Sequence, residues 1–274
     1  MSSRQSSVPI VLTIAGSDSS GGAGIQADLK TFSALGAYGA SVITALTAQN
    51  TQGVTAIHTP PASFVTAQMD AVFQDLTVDA VKLGMLGNAE VVRAVAAGLR
   101  QYKPRFVVLD TVMISKSGHA LLQPDAVAAL RDELLPLADL ITPNLPEAAA
   151  LLGVEPATDE REMEQQAQAL RALGARHVLV KGGHLASDLS PDWLVSATGV
   201  ERFTAPRIAV HNTHGTGCTL SAALAALRPR RHDWSDPVRD AKAYLNGALA
   251  ASDTLHIGHG VGPVHHFHAV WSKG

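Results

Sequence analysis

An α/β fold, with a mostly parallel sheet covered by helices on both faces, is predicted by three features of this sequence. Apolar runs of strand length alternate with Ala- and Leu-rich runs of helical length. Some of the strand runs are apolar at successive positions, as strands buried on both faces must be. Polar residues, several with glycine among them, gather straight after strand ends, where open α/β sheets bind their ligands.

Taken in order, residues 8–15 read as a buried first strand that enters the loop Gly16-Ser17-Asp18-Ser19-Ser20-Gly21-Gly22-Ala23-Gly24, and a helix follows over about 25–35. The loop is not a Walker A motif, because no Gly-Lys-Ser/Thr follows, nor is it a clean dinucleotide fingerprint. Asp28 falls one turn into that helix, close enough to the loop to face a ligand. Residues 41–46 and 54–58 read as strands and 62–74 as a helix. The strand 79–84 ends in Gly84 before a helix over 89–99, and the strand 105–110 delivers Asp110 at its carboxyl end. Pro124, at a favoured first-turn position, opens a helix to about 135. A short strand at 140–142 runs directly into Pro143-Asn144-Leu145-Pro146-Glu147, and 177–181 is a strand capped by Gly182-Gly183-His184. Residues 193–197 and 201–205 form an antiparallel hairpin around Thr198-Gly199-Val200. A helix at Cys218 and a long one over 237–254 close the fold. No repeat, linker or low-complexity stretch divides the chain, so the expectation is one domain over 1–274 with 1–7 as a flexible tail.

Composition narrows the function classes. The 274 residues are 46% hydrophobic and 16% charged, the balance of a folded globular chain. A net charge of -3, with Arg228-Pro229-Arg230-Arg231 as the one basic run, argues against nucleic acid. One cysteine excludes an internal disulfide framework and a multi-thiolate zinc site. No signal peptide or membrane span is legible, so a cytoplasmic protein without a membrane partner is expected.

The chemistry gathers at His214-Gly215-Thr216-Gly217-Cys218, which opens the helical run after it. Glycines let the backbone approach a ligand closely, and a helix N-terminus offers free N–H groups and partial positive charge. That arrangement suits a phosphate or a developing oxyanion, and the same field is expected to lower the Cys218 thiol pKa. A glycine turn capping an ordinary helix, with Cys218 a small buried hydrophobe, would read the same way. Asp110 and Glu147, at the ends of separate strands, suit magnesium, while Asn144 and Lys181 suit nucleotide phosphates. His214 is expected to be a loop residue, and His265-His266-His268 to be structural or solvent-exposed. A Cys218–His214 hydrolase would need a third orienting group, and none is evident.

At these residues the chain resembles hydroxymethylpyrimidine/phosphomethylpyrimidine kinases of the ribokinase-like superfamily. The resemblance rests on the run 15–30 and on Ala48-Gln49-Asn50-Thr51, Lys82-Leu83-Gly84-Met85-Leu86, Leu109-Asp110-Thr111-Val112-Met113, the run 142–148, Lys181-Gly182-Gly183-His184 and the 214–218 loop. It spans about 10–268. It implies a three-layer sandwich, a homodimer, and ATP- and Mg²⁺-dependent phosphorylation of 4-amino-5-hydroxymethyl-2-methylpyrimidine and then of its monophosphate, for thiamine synthesis. By the same resemblance, Gly16, Asp28, Gln49 and Met85 hold the pyrimidine, with Asp28 and Gln49 hydrogen-bonding it. Asn144, Lys181, Thr213 and Lys242 lie along the nucleotide, Asp110 and Glu147 serve the metal, and Gly215, Thr216, Gly217 and Cys218 form the catalytic anion hole. Many ribokinase-like sugar kinases carry an aspartate base where Cys218 stands, so this thiol is either a base or a polarising group. Ser19 replaces a frequent proline and Gln52 an occasional cysteine. A pyridoxal kinase and a non-catalytic pyrimidine-binding regulator are the alternatives. Residues 115–122 are expected to form a mobile loop.

Overall fold

The computed structural model describes residues 8–113, 123–185 and 188–271. The tail expected at 1–7 and the loop expected at 115–122 lie outside them. One nine-stranded sheet runs through the molecule in the order β3-β2-β1-β4-β5-β6-β7-β8-β9. Its strands are β1 (Ile10–Asp18), β2 (Tyr38–Asn50), β3 (Gly53–His58), β4 (Ala80–Leu83), β5 (Val107–Leu109), β6 (Leu140–Ile141), β7 (Val178–Lys181), β8 (Leu189–Val195) and β9 (Val200–Pro206). Every pairing from β2 through β7 is parallel. The hairpins at the two edges, β2–β3 and β8–β9, are antiparallel.

Consecutive strand residues feed opposite cores, which is the period-two geometry of a sheet buried on both faces. Leu12, Val81, Val107, Ile141, Val178 and Val195 point into one core, and their neighbours Val11, Ala80, Val108, Leu140, Leu179 and Leu194 into the other. Helices α2 (Ala62–Asp75), α3 (Ala89–Tyr102), α4 (Pro124–Ala129), α5 (Leu145–Leu152) and α6 (Glu160–Ala172) cover the first face. The second is covered by α1 (Gly24–Ala34), α7 (Thr216–Leu227) and α8 (Ser235–Ala250). The result is the three-layer, ribokinase-like arrangement the motifs imply.

Local chemistry explains the boundaries. The Asn88 side chain accepts from Val91 N–H to start α3, and Lys103 in the left-handed region (φ 47°) ends it. Helix α7 lacks a polar face because it lies between the sheet and α1 and α8, so Thr219 through Ala226 are buried. Two helices were not expected, α5 and α6, and the helix expected over 124–135 stops at Ala129. Beyond it come one wider turn (Leu130–Leu134) and a 3₁₀ turn (Leu135–Leu137), since Pro136 cannot donate to the helical ladder. Helix α8 ends at Ala250, short of the expected 254, and passes into a 3₁₀ turn.

Candidate active site

Because the central strands are parallel, their carboxyl ends share one edge. That edge collects Gly16 and Asp18 (β1), Met85 (after β4), Asp110 (after β5), Thr142 to Asn144 (after β6) and Lys181 (β7). The β1–β2 register slips between Ala15 and Gly16, and a Cβ at Gly16 would lie 3.0 Å from the Met85 sulfur. Gly16 and Met85, both expected at the pyrimidine, therefore lie against each other and form one cradle. Thr44 Oγ1 donates to the Met85 carbonyl at 2.6 Å and fixes its wall.

The loop before α7 is wedged against the loop after β1. Gly215 has φ 82°, and a side chain there would collide with the Gly22 carbonyl, so both the conformation and the space demand glycine. Thr216 Oγ1 donates to the Thr213 carbonyl at 2.6 Å, which occupies both residues in shaping the turn. Gly217 brings backbone close to Asp110 and Lys181: a Cβ there would sit 3.7 Å from Asp110 Oδ2 and from Lys181 Nζ. His214 lies in the loop before α7, as expected, and is buried there. Its Nε2 lies 2.8 Å from Asp18 Oδ2 and 3.4 Å from Gln49 Nε2. Asp18 also accepts from the backbone N–H groups of Ser20, Gly22 and Ala23. Burial raises the Asp18 carboxyl, but the bonds from His214 and Ser20 outweigh it and hold it below the usual range.

Asp110, Glu147 and Lys181 form the acidic side. Lys181 Nζ lies 3.2 Å from Asp110 Oδ1, Thr142 Oγ1 donates to the same oxygen, and Ser221 Oγ donates to Oδ2 at 3.1 Å. Burial opposes ionisation of Asp110, yet Lys181 and Lys82 hold its carboxyl below the usual range. Glu147 is pushed up by burial and by Asp110, with Lys181 pulling the other way. Its Oε2 accepts from Asn144 N–H at 2.9 Å and from Thr111 Oγ1 at 3.0 Å. Asn144 Oδ1 accepts from Glu147 N–H at 2.9 Å, completing a capping box on α5. Asn144, expected on the nucleotide, therefore spends its side-chain oxygen on the helix. Two carboxylates, with no third His, Cys, Asp or Glu grouped to hold a metal among the described residues, suit Mg²⁺, which takes one or two carboxylates plus phosphates and keeps several waters.

Comparison with known proteins follows the same lines. The family model described as phosphomethylpyrimidine kinase matches residues 18–265. The hydroxymethylpyrimidine/phosphomethylpyrimidine kinase of Escherichia coli is 62% identical over 260 residues, covering 95% of this chain and 98% of that one. Its Rhizobium meliloti counterpart is 58% identical, covering 96% and 98%. The chain belongs to the phosphomethylpyrimidine kinase family. Among solved structures, the phosphomethylpyrimidine kinase of Clostridium difficile superposes with a TM-score of 0.79 at 42% identity, over 88% of this chain and 99% of that one. The Bacillus subtilis pyridoxal kinase, solved as an ADP complex, reaches 0.89 at 34% identity, over 97% and 100%.

One expectation for this kinase changes, and two of its expected binding residues prove to be ion-paired within the chain. Cys218, expected to be acidified by the helix terminus, has its thiol pushed up to about 11. Burial dominates, and Asp28 and Asp110 add to it against the pull of Lys82. Asp28, expected close enough to the loop to face a ligand, is wholly buried and paired with Lys82, Nζ to Oδ2 at 2.9 Å. Lys242, expected along the nucleotide, is tied to Asp192 Oδ2 at 2.5 Å, and Asp192 Oδ1 accepts from Gly182 N–H at 3.1 Å. Sequence reasoning missed Lys82, Asp192 and Asp18. The usable signal for Lys82 was a charge flanked by Ala80, Val81 and Leu83 in a buried strand.

Proposed function

We propose that the chain transfers the γ-phosphoryl group of ATP to the hydroxymethyl oxygen of 4-amino-5-hydroxymethyl-2-methylpyrimidine, and then to the resulting monophosphate, supplying the diphosphate for thiamine synthesis. The observation that carries this is the joining of the Gly16–Met85 cradle to the Asp110–Lys181–Gly217 cluster at one sheet edge. The identity with kinases named for these two substrates supports it over almost the whole chain.

The substrate oxygen attacks the γ-phosphorus, the bridging oxygen leaves with ADP, and the hydroxyl proton departs. In-line transfer depends on positioning and charge stabilisation more than on a strong base. Backbone N–H groups from Gly215 to Cys218 receive the phosphoryl oxygens, and Lys181 adds a positive charge beside them. Cys218 enters as a thiol: its raised pKa makes it a local polarising group and late proton acceptor, not a preformed thiolate. Asp110 and Glu147 would hold Mg²⁺, which when bound neutralises charge on the nucleotide phosphates. Asp28 and Gln49 hydrogen-bond the aminopyrimidine, and Met85 packs on its ring. Lys242 acts on the nucleotide side indirectly, bracing the strand end at Lys181-Gly182 through Asp192.

The enzyme works as a single-domain homodimer in the cytoplasm. Exposed Leu46 and Ile57 on the β2–β3 hairpin support the dimer, and no helix among the described residues is long and apolar enough to cross a membrane. The test is ADP release with magnesium-ATP and the pyrimidine alcohol, its monophosphate or pyridoxal, with products weighed by mass spectrometry. Turnover on both pyrimidines, with pyridoxal slower, is expected. Turnover on pyridoxal alone would overturn the reading.

A further inference from the structure

Lys82 sits in the middle of β4, fully buried on all sides, between strands β1 and β5. Among the described residues its one hydrogen-bond partner is Asp28 Oδ2 at 2.9 Å, and Thr13 Oγ1 donates to the same oxygen at 2.6 Å. Both donors fall on Oδ2. The other oxygen, Asp28 Oδ1, is buried and has no hydrogen-bond partner. Native proteins rarely leave a buried acceptor unmade, because its desolvation is then uncompensated. An orphan carboxylate oxygen beside a ligand site therefore asks for a donor that arrives with the ligand.

The pair borders the cradle. A Cβ at Gly84, the residue before Met85, would lie 2.8 Å from Lys82 Nζ and 2.8 Å from the Ala15 Cβ, the residue before Gly16. The charged and titratable groups around Asp28 are Lys82 from β4, Asp110 after β5 and Cys218 from α7, with Thr13 of β1 as a neutral donor.

We propose that Lys82 is a positioning residue for ring recognition: by holding Oδ2 it draws Asp28 toward its ionised form and leaves Oδ1 alone to accept an N–H. The site then takes a heteroaromatic alcohol that carries a ring amino group and turns away one whose ring hydroxyl is ionised. This rests on the aminopyrimidine reading given above and adds the group that enforces it. An amino group brings hydrogens to the free oxygen. A ring phenolate, such as that of pyridoxal, brings a second negative acceptor into a desolvated place and leaves both unpaired. Among the described residues Lys82 Nζ hydrogen-bonds Asp28 alone, so it acts on the ring through Asp28.

A purely structural lysine would not set how recognition depends on pH. Burial pushes the Asp28 carboxyl above its usual range, against the pull of Lys82 and Thr13. Without Lys82 it rises further, and the ionised acceptor is lost as pH falls. The experiment compares wild type, Lys82→Met and the double variant Lys82→Met/Asp28→Asn. Steady-state kcat and KM are measured on the pyrimidine alcohol and on pyridoxal from about pH 6 to about pH 9, where a raised carboxyl would titrate. For Lys82→Met, the expected KM for the pyrimidine is raised about tenfold or more at the acid end, recovering as pH rises, with kcat changed far less. The double variant removes both charges and so survives if the single one does not fold. Its pyrimidine-over-pyridoxal ratio of kcat/KM should fall about tenfold, without the pH dependence. An unchanged ratio in the double variant, or a folded Lys82→Met with wild-type KM at every pH, would overturn the inference alone. Absence of wild-type turnover on the pyrimidine would overturn the substrate reading and the inference together.

Discussion

Two buried lysine–aspartate pairs stand at the same edge of this sheet, and they are built differently. In Lys242–Asp192 both carboxylate oxygens are used, one by the ammonium and one by Gly182 N–H. In Lys82–Asp28 the ammonium and a threonine crowd one oxygen and leave the other bare. A closed pair braces the chain, here joining α8 and β8 to the strand end that presents Lys181. An open pair is incomplete without something else. Both charges in each pair cost desolvation, so the difference lies in what finishes the hydrogen bonding: protein in one case, ligand in the other.

The strongest way to sharpen this contrast is through the thiol that feels both members of the open pair and neither member of the closed one. Cys218→Ala should cut turnover by roughly 10²–10⁴-fold while nucleotide binding persists. Near-wild-type turnover would remove Cys218 from the chemistry. The single thiol also reports its own field. Its iodoacetamide alkylation should be slow at neutral pH and climb about tenfold per pH unit toward about 11, because only thiolate reacts. A rate already flat at neutral pH would contradict the raised thiol pKa.

The closed pair breaks differently. Asp192→Ala leaves Lys242 buried without its partner and should cost about 3–5 kcal/mol in denaturant unfolding. Replacing both members with apolar residues should restore most of that. A smaller effect is expected at the Asp18–His214 contact, which ties the loop after β1 to the loop before α7. His214→Gln should cost about 1.5–3 kcal/mol at neutral pH, the worth of a hydrogen bond to a charged group. Because the folded Asp18 pKa lies below its ordinary value near 3.8, its contribution is present above that value. It is lost as pH falls through the depressed folded pKa, so wild type and variant should converge in strong acid.

How much of this was legible beforehand follows from range in the chain. Strand order aside, the parallel core and the polar residues at its carboxyl ends could be read, since apolar runs and glycine loops are local signals. Helix α6 was not read, because only Met163, Ala167 and Leu170 of its thirteen residues are buried and the rest of the stretch, Ala169 and Ala172 aside, is polar. Helix α5 was hidden by its eight-residue length and by Pro146 in its first turn. The 214–218 loop was expected to open a helix and does so at Thr216, but the Cys218 thiol pKa was expected to move the other way. A helix terminus is visible in sequence, whereas burial beside Asp28 and Asp110 is not. Lys82 and Asp28 are 54 residues apart, and Lys242 and Asp192 are 50 apart. No local pattern announces either pairing.

The central claim is that one buried pair is finished by ligand and the other by protein, and calorimetry of pyrimidine binding tests it most directly. The titration uses the pyrimidine alcohol against wild type, Asp28→Asn and Asp192→Asn, each first shown to be folded. Both substitutions should lower stability. Only Asp28→Asn should weaken pyrimidine binding, by about tenfold or more, since it alone removes the ionised acceptor. Equal weakening in both variants, or none in Asp28→Asn, would contradict the account.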